Sequence, residues 1–200
     1  MLEPARAAGP KVVFLGDSIS AGLHLPADQA FPARVHAALA ARGQAFELVN
    51  AGVSGDTTAG GLRRVDWLLQ QAPAIVVVEL GGNDGMRGQP IASIESNLRA
   101  ILEKVKASGA KPLLLGMRIP ESYGPTYSAE FEALYARLAK ELDVAFVPFF
   151  MAGVAGEAAQ NLPDGIHPTT AGHEILANTV AEPLSKLLAT LHAGRGVEPP

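Results

Sequence analysis

Ile75, Val76, Val77 and Val78 are four consecutive β-branched residues, followed by Glu79 and Leu80 and bounded by Pro73 and the pair Gly81-Gly82. A run this apolar reads as a strand buried on both faces, which is the environment of a parallel sheet. The rest of the chain repeats the plan. Lys11 to Leu15, Phe46 to Asn50, Pro112 to Gly116 and Val144 to Val147 are four further candidate strands. Helical patterns separate them: Phe31 to Arg42, stopped by Gly43; Leu62, Val65, Leu68 and Leu69 at three-and-four spacing; and a stripe of Ile91, Ile94, Leu98, Ile101, Leu102 and Val105 ahead of Gly109. Phe131, Leu134, Leu138 and Leu142 mark another helix, and a last one spans about Thr170 to Leu191, with a kink expected at Pro183. Strand and helix alternating five times predict an α/β fold, a parallel sheet with helices on both faces.

The length of 200 residues suits one domain, placed at 11–192, with a flexible N-terminal segment at 1–10 and a flexible tail at 193–200. Hydrophobic residues make up 48% of the chain, enough for one core. The net charge is -4 and no Lys/Arg cluster occurs, which argues against nucleic acid as a partner. The absence of cysteine excludes disulfides, thiolate metal sites and a cysteine nucleophile. No apolar run approaches the ~20 residues that cross a bilayer, so integral membrane association is not expected. Residues Met1 to Pro10 lack the apolar middle of a signal peptide, leaving a cytoplasmic protein or one whose signal has been removed.

Ligands of open parallel sheets bind at the carboxyl ends of the strands, and the chemically notable loops fall there. Gly16-Asp17-Ser18-Ile19-Ser20 follows the first strand, Asn50 to Thr58 the second and Gly81-Gly82-Asn83-Asp84 the third. Asp164-Gly165-Ile166-His167-Pro168 precedes the last helix. A serine between a strand and a helix stands among free N–H groups that favour negative charge, although Ser18 or Ser20 can equally be a helix cap. Asn83 offers a side-chain amide to an oxyanion, or serves as a turn residue. Gly52 offers an unshielded N–H, or makes an ordinary turn. Asp17 has the look of a structural group that bonds loop backbone, and Asp56 and Thr57 of helix-capping groups. Asp164 and His167 are spaced so that the carboxylate can hold Nδ1 of the imidazole and leave Nε2 for a serine. His36 sits inside a helix pattern, His173 in the first turn of the last helix and His192 in the tail, while His24 has no acidic residue at useful local spacing. Serine, histidine and aspartate with separate oxyanion donors are the parts of nucleophilic acyl transfer.

Taken together, these motifs resemble the GDSL or SGNH hydrolase superfamily. Leu15-Gly16-Asp17-Ser18, Ser54-Gly55-Asp56-Thr57, Val78 to Gly85 and Val147-Pro148-Phe149-Phe150-Met151 narrow the resemblance to the TesA-like group of bacterial esterases, thioesterases and lysophospholipases. The resemblance spans about Lys11 to Leu188. It implies a flavodoxin-like three-layer sandwich with a five-stranded parallel sheet. It makes Ser18 the nucleophile, His167 the base and Asp164 its partner, with Ser18 N–H, Gly52 N–H and the Asn83 side chain as oxyanion hole. Ile19 stands where the family pattern has leucine. The implied substrates are small esters or thioesters of aryl, acyl-CoA or lysophospholipid type, with no metal or organic cofactor. Export to the periplasm or beyond is likewise implied by the resemblance alone.

Met86, Arg87 and Gln89 occupy the place of a mobile substrate loop in those relatives, and Ile119 and Tyr123, with Met117, Pro120 and Tyr127, are expected to form the opposite wall. Ordinary packing is the alternative for all of them. Two other functions compete: a carbohydrate O-deacetylase of the same superfamily, and a non-catalytic flavodoxin-like binding module for flavin or phosphate. The second leaves the Asp164–His167 pair without a role. A metal phosphatase lacks a close carboxylate pair in the first loop.

Overall fold

The strand foreseen at Ile75 is the middle of the molecule in a computed structural model, which describes residues 9–193. The expected flexible ends lie largely outside the described residues, at 1–8 and 194–200. Five strands, β1 (Lys11–Gly16), β2 (Glu47–Gly52), β3 (Ile75–Glu79), β4 (Lys111–Leu115) and β5 (Ala145–Val147), form one sheet in the order β2-β1-β3-β4-β5. Every neighbouring pair is parallel. All of β3 is buried, whereas β2 at the edge is only half-buried and carries Glu47 and Asn50 outward. That difference explains why β3 is the most apolar run and β2 the least.

Among the described residues seven α-helices accompany the sheet: α1 (Ser18–Ala21), α2 (Phe31–Ala41), α3 (Thr58–Leu69), α4 (Gly82–Met86), α5 (Ile91–Ala107), α6 (Pro125–Glu141) and α7 (Thr170–Ala193). Helices α2 and α7 pack on each other, as do α3, α5 and α6 in sequence, giving the sandwich its two outer layers. The α5 stripe buries Ile94, Leu98, Ile101, Leu102 and Val105, as its spacing requires. Helix α7 carries Pro183 within its length.

Helix α1 starts where a helix was expected to follow the serine, whereas the short helix α4 was not foreseen, because five residues carry no periodicity. Both begin directly at the carboxyl edge. Helix α3 starts four residues before its first apolar marker: Thr57 caps it by accepting the Gly60 N–H, and buried Thr58 donates its N–H and hydroxyl to Asp84 at 2.9 and 2.6 Å. The loop after β3 is thereby tied to the helix after β2. On the α6 side, buried Tyr135 donates its hydroxyl to the Leu80 carbonyl at 3.0 Å. Gly81 has φ +112°, and a Cβ there would lie 2.1 Å from that hydroxyl, so only glycine lets the chain turn from β3 into α4 at this point.

The opposite layer is pinned by an aromatic and histidine cluster. Phe31 packs edge-on to Phe14 and against Phe150, with ring centres 5.7 and 4.8 Å apart. Buried His173 of α7 accepts the Phe31 N–H at Nδ1. Burial first, then the charges of Arg34 and His167, lower its pKa to about 4. An unfolded histidine titrates near ~6.5. The unfolded chain therefore binds a proton that the folded chain refuses, and the stability contributed above that pH is lost as pH falls toward 4. His173→Asn, whose carboxamide oxygen can still accept the Phe31 N–H, should flatten this part of the pH–stability curve. Urea unfolding of both proteins between pH 7 and 4 measures the difference.

Candidate active site

Ser18 and Asn83 reach the same place because β1 and β3 are adjacent, with Gly16 beside Glu79 at the ends of the two strands. Connections leave β1 toward β2 and β3 toward β4, so a crevice opens between the two loops. The Asp164–His167 loop folds over this crevice from the other end of the chain. A short antiparallel bridge between Asn161 and Pro168 closes its base, with Leu162 N–H bonded to the His167 carbonyl at 2.7 Å.

Ser18 Oγ lies 2.9 Å from His167 Nε2, and His167 Nδ1 lies 2.6 Å from Asp164 Oδ2. With Nδ1–H donating to the carboxylate, Nε2 is left to accept the serine proton. The other Asp164 oxygen accepts the N–H groups of Ile166 and His167 at 2.9 and 3.0 Å. The His167 N–H, then its imidazole, then the Ile166 N–H hold this carboxyl far below the usual carboxylate range, so it is an anion whenever the histidine works. The triad expected from sequence is thus assembled at bonding distance.

Asp17, not a serine, caps α1, accepting the Ile19 N–H at Oδ1. Its Oδ2 accepts one hydrogen of Asn83 Nδ2 at 3.0 Å, which orients that amide and leaves its second hydrogen free. Burial pushes the Asp17 pKa up to about 6 against the pull of these two bonds. Ser18 N–H has no acceptor among the described residues. Gly52 is placed differently from its expected role: its N–H donates to Asn50 Oδ1 at 3.0 Å, and it does not line the cleft. In the same loop, the N–H groups of Ser54 and Gly55 have no acceptor among the described residues.

A cleft of about 370 Å³ begins at Ser18, Asn83 and His167. Its apolar walls include Met86, Met117, Ile119, Phe149, Met151 and Ile166. Of the residues expected to meet substrate, Met86 and Ile119 line this cleft. Arg87, Gln89 and Tyr123 do not line it. Arg87 instead donates to the Gly55 carbonyl, the Gln89 carbonyl accepts the Tyr127 hydroxyl, and Tyr123 is exposed to solvent. Both loop contacts brace the segment that carries Met86. Phe149 and Met151 were visible only as part of a family pattern, since nothing in their spacing marks them as pocket residues. Arg118 lies over the Phe149 ring at 4.6 Å and pairs with Glu132 at 2.6 Å.

Arg64 of α3 went unnoticed in the sequence. It donates to the carbonyls of Gly16 and Ala51 and to Asp56, at 2.9, 2.6 and 2.7 Å, tying the ends of β1 and β2 to the following loop. A lone arginine in a helical pattern carries no signal for this, because the carbonyls it reaches are far away in sequence. Among the described residues, no group of three or more potential ligands could hold a metal ion.

Residues 14–175 match the model of the GDSL-like Lipase/Acylhydrolase family. The chain is 44% identical over 189 residues to Esterase TesA of Pseudomonas aeruginosa, covering 94% of each protein. It is 43% identical over 183 residues to Thioesterase 1/protease 1/lysophospholipase L1 of Escherichia coli K12, covering 91% of this chain and 86% of that one. Among solved structures, TesA superposes with a TM-score of 0.86 at 44% identity, over 88% of this chain and 99% of the other. The psychrotrophic esterase EstA from Pseudoalteromonas sp., inhibited by monoethylphosphonate, gives 0.85 at 31% identity, over 90% and 99% of the two chains.

A fluorophosphonate probe should modify Ser18 and leave every other serine untouched, since among the described residues only Ser18 has an imidazole at bonding distance. Peptide mapping by mass spectrometry after labelling checks this; adducts on Ser20 or Ser54 instead would remove Ser18 from the nucleophile's place.

Proposed function

The chain belongs to the GDSL-like Lipase/Acylhydrolase family, and we propose that it hydrolyses carboxylic esters and thioesters through an acyl-enzyme on Ser18. The observation that carries this reading is the continuous Ser18–His167–Asp164 chain of hydrogen bonds opening into an apolar cleft. His167 Nε2 takes the hydroxyl proton as Ser18 Oγ attacks the carbonyl carbon. The oxyanion is received by Ser18 N–H and the free hydrogen of Asn83 Nδ2. Gly52 N–H, already bonded to Asn50 Oδ1, is not counted among these donors. The alcohol or thiol leaves with the proton from His167. Water, deprotonated by the same imidazole, then releases the acid and restores the serine. Asp164 stabilises the imidazolium in both halves without taking a proton.

The chain is a carboxylic ester hydrolase like its relatives. The finer substrate assignment rests on the cleft. Its methionine, isoleucine and phenylalanine walls suit the hydrocarbon part of an acyl or aryl ester better than the hydroxyl-rich surface of a sugar. Residues 11–192 act as one catalytic unit in this reading. No described helix is long and apolar enough to cross a membrane, and a periplasmic or secreted enzyme follows from the family resemblance alone.

Rates on p-nitrophenyl acetate, longer acyl esters, acyl-CoA thioesters and acetylated sugars test the substrate class. Acyl and aryl esters should dominate; turnover confined to acetylated sugars would transfer the protein to the deacetylases. Ser18→Ala should lower kcat by about 10⁴–10⁶. Asn83→Ala should lower it by about 10²–10³ with little change in KM, as loss of an oxyanion donor does; a change in KM alone would make Asn83 a binding residue.

A further inference from the structure

Glu79 ends β3 and is fully buried directly behind the nucleophile turn. Its Oε2 accepts the N–H of Asp17 and the N–H of Ser20, each at 3.2 Å, and the Ser20 hydroxyl at 2.7 Å. These donors flank Ser18 on both sides, and the one N–H between them that Glu79 does not take and Asp17 does not cap is that of Ser18 itself. Gly16, opposite Glu79 in the parallel register, keeps the space open: a Cβ there would lie 2.6 Å from Glu79 Oε2 and 2.0 Å from Ser20 Oγ.

We propose that Glu79 is a positioning residue for ester hydrolysis, holding the turn so that Ser18 N–H faces the oxyanion while Ser18 Oγ meets His167. It touches neither substrate nor reacting atoms and acts through the backbone on either side of the nucleophile. The proposal rests on the esterase reading above. Glu79 acts through the three bonds that its Oε2 accepts. Its second oxygen is buried without a partner, and burial, together with the neighbouring Asp17 carboxyl, pushes its pKa well above the usual range. A glutamine amide fits that description, with its carbonyl in place of Oε2 and its NH₂ where the unpartnered oxygen sits. Leucine fills the volume and offers no acceptor.

Glu79→Gln and Glu79→Leu, with folding monitored by circular dichroism and thermal melting, separate positioning from mere packing. Glu79→Gln should retain kcat on p-nitrophenyl butyrate within about fivefold, whereas folded Glu79→Leu should lose about 10²–10³ in kcat with KM nearly unchanged, the pattern of a lost transition-state interaction. Wild-type kcat in folded Glu79→Leu would overturn the proposal, and so would a Glu79→Gln enzyme as impaired as the leucine variant. If the leucine variant does not fold, Ser20→Ala removes one of the three donors alone. It should lower kcat several-fold at constant KM, and an unchanged kcat would overturn the proposal. The rate of fluorophosphonate labelling of Ser18, measured in parallel, should fall in the same order. Should the wild type hydrolyse no ester yet label at Ser18, the substrate assignment fails while the labelling series still reports on Glu79.

Discussion

Ser18 and His167 are 149 positions apart in the chain and 2.9 Å apart in space. That contact depends on the strand order β2-β1-β3, because only adjacency of β1 and β3 puts the serine turn beside the asparagine helix. The return of the chain along α7 then determines where the preceding loop can land. Helix α7 packs on α2, which begins only nine residues after Gly22, and the His173–Phe31 bond locks the two together one turn into α7. The Asp164–His167 loop is consequently held over the serine by the same layer that covers the sheet.

Three carboxyl groups near the site show how environment divides chemically similar side chains. Asp164 is partly exposed, accepts two backbone N–H groups and an imidazole, and is an anion throughout. Asp17 and Glu79 are buried side by side beneath the serine, and burial raises both. Burying carboxyls is costly unless their oxygens are bonded or a proton is kept. Here most of the oxygens are bonded to the nucleophile turn and to Asn83, so the cost is spent where geometry matters most.

The cleft has a different physical character. Met86, Met117 and Met151, which are all the methionines beyond the first residue, line it together. Unbranched thioethers fill irregular space and reshape at low energetic cost. Rigid polar machinery on one side and a deformable apolar wall on the other suit an enzyme that holds the reacting carbonyl tightly and the hydrocarbon loosely. The wall is braced from outside by contacts that sequence reasoning had assigned to substrate, notably Arg87 on Gly55 and Tyr127 on Gln89.

The amino-acid order alone marked the strands, the long helices and the Asp164–His167 pair, while Ser18 as nucleophile came from the family resemblance. Their signals are local: β-branched runs, three-and-four apolar spacing, and an acid three residues from a histidine. It left Asn83 open between an oxyanion donor and a turn residue, and the family resemblance alone favoured the donor. It could not separate Gly52 from its neighbours as an amide donor, because whether an N–H is free depends on where Asn50 turns its side chain. It was equally silent on Glu79 and Arg64, a buried acid and a helical arginine whose partners lie across the sheet. Such pairings arise only when strands distant in sequence are set in register, so they were decided by the tertiary structure.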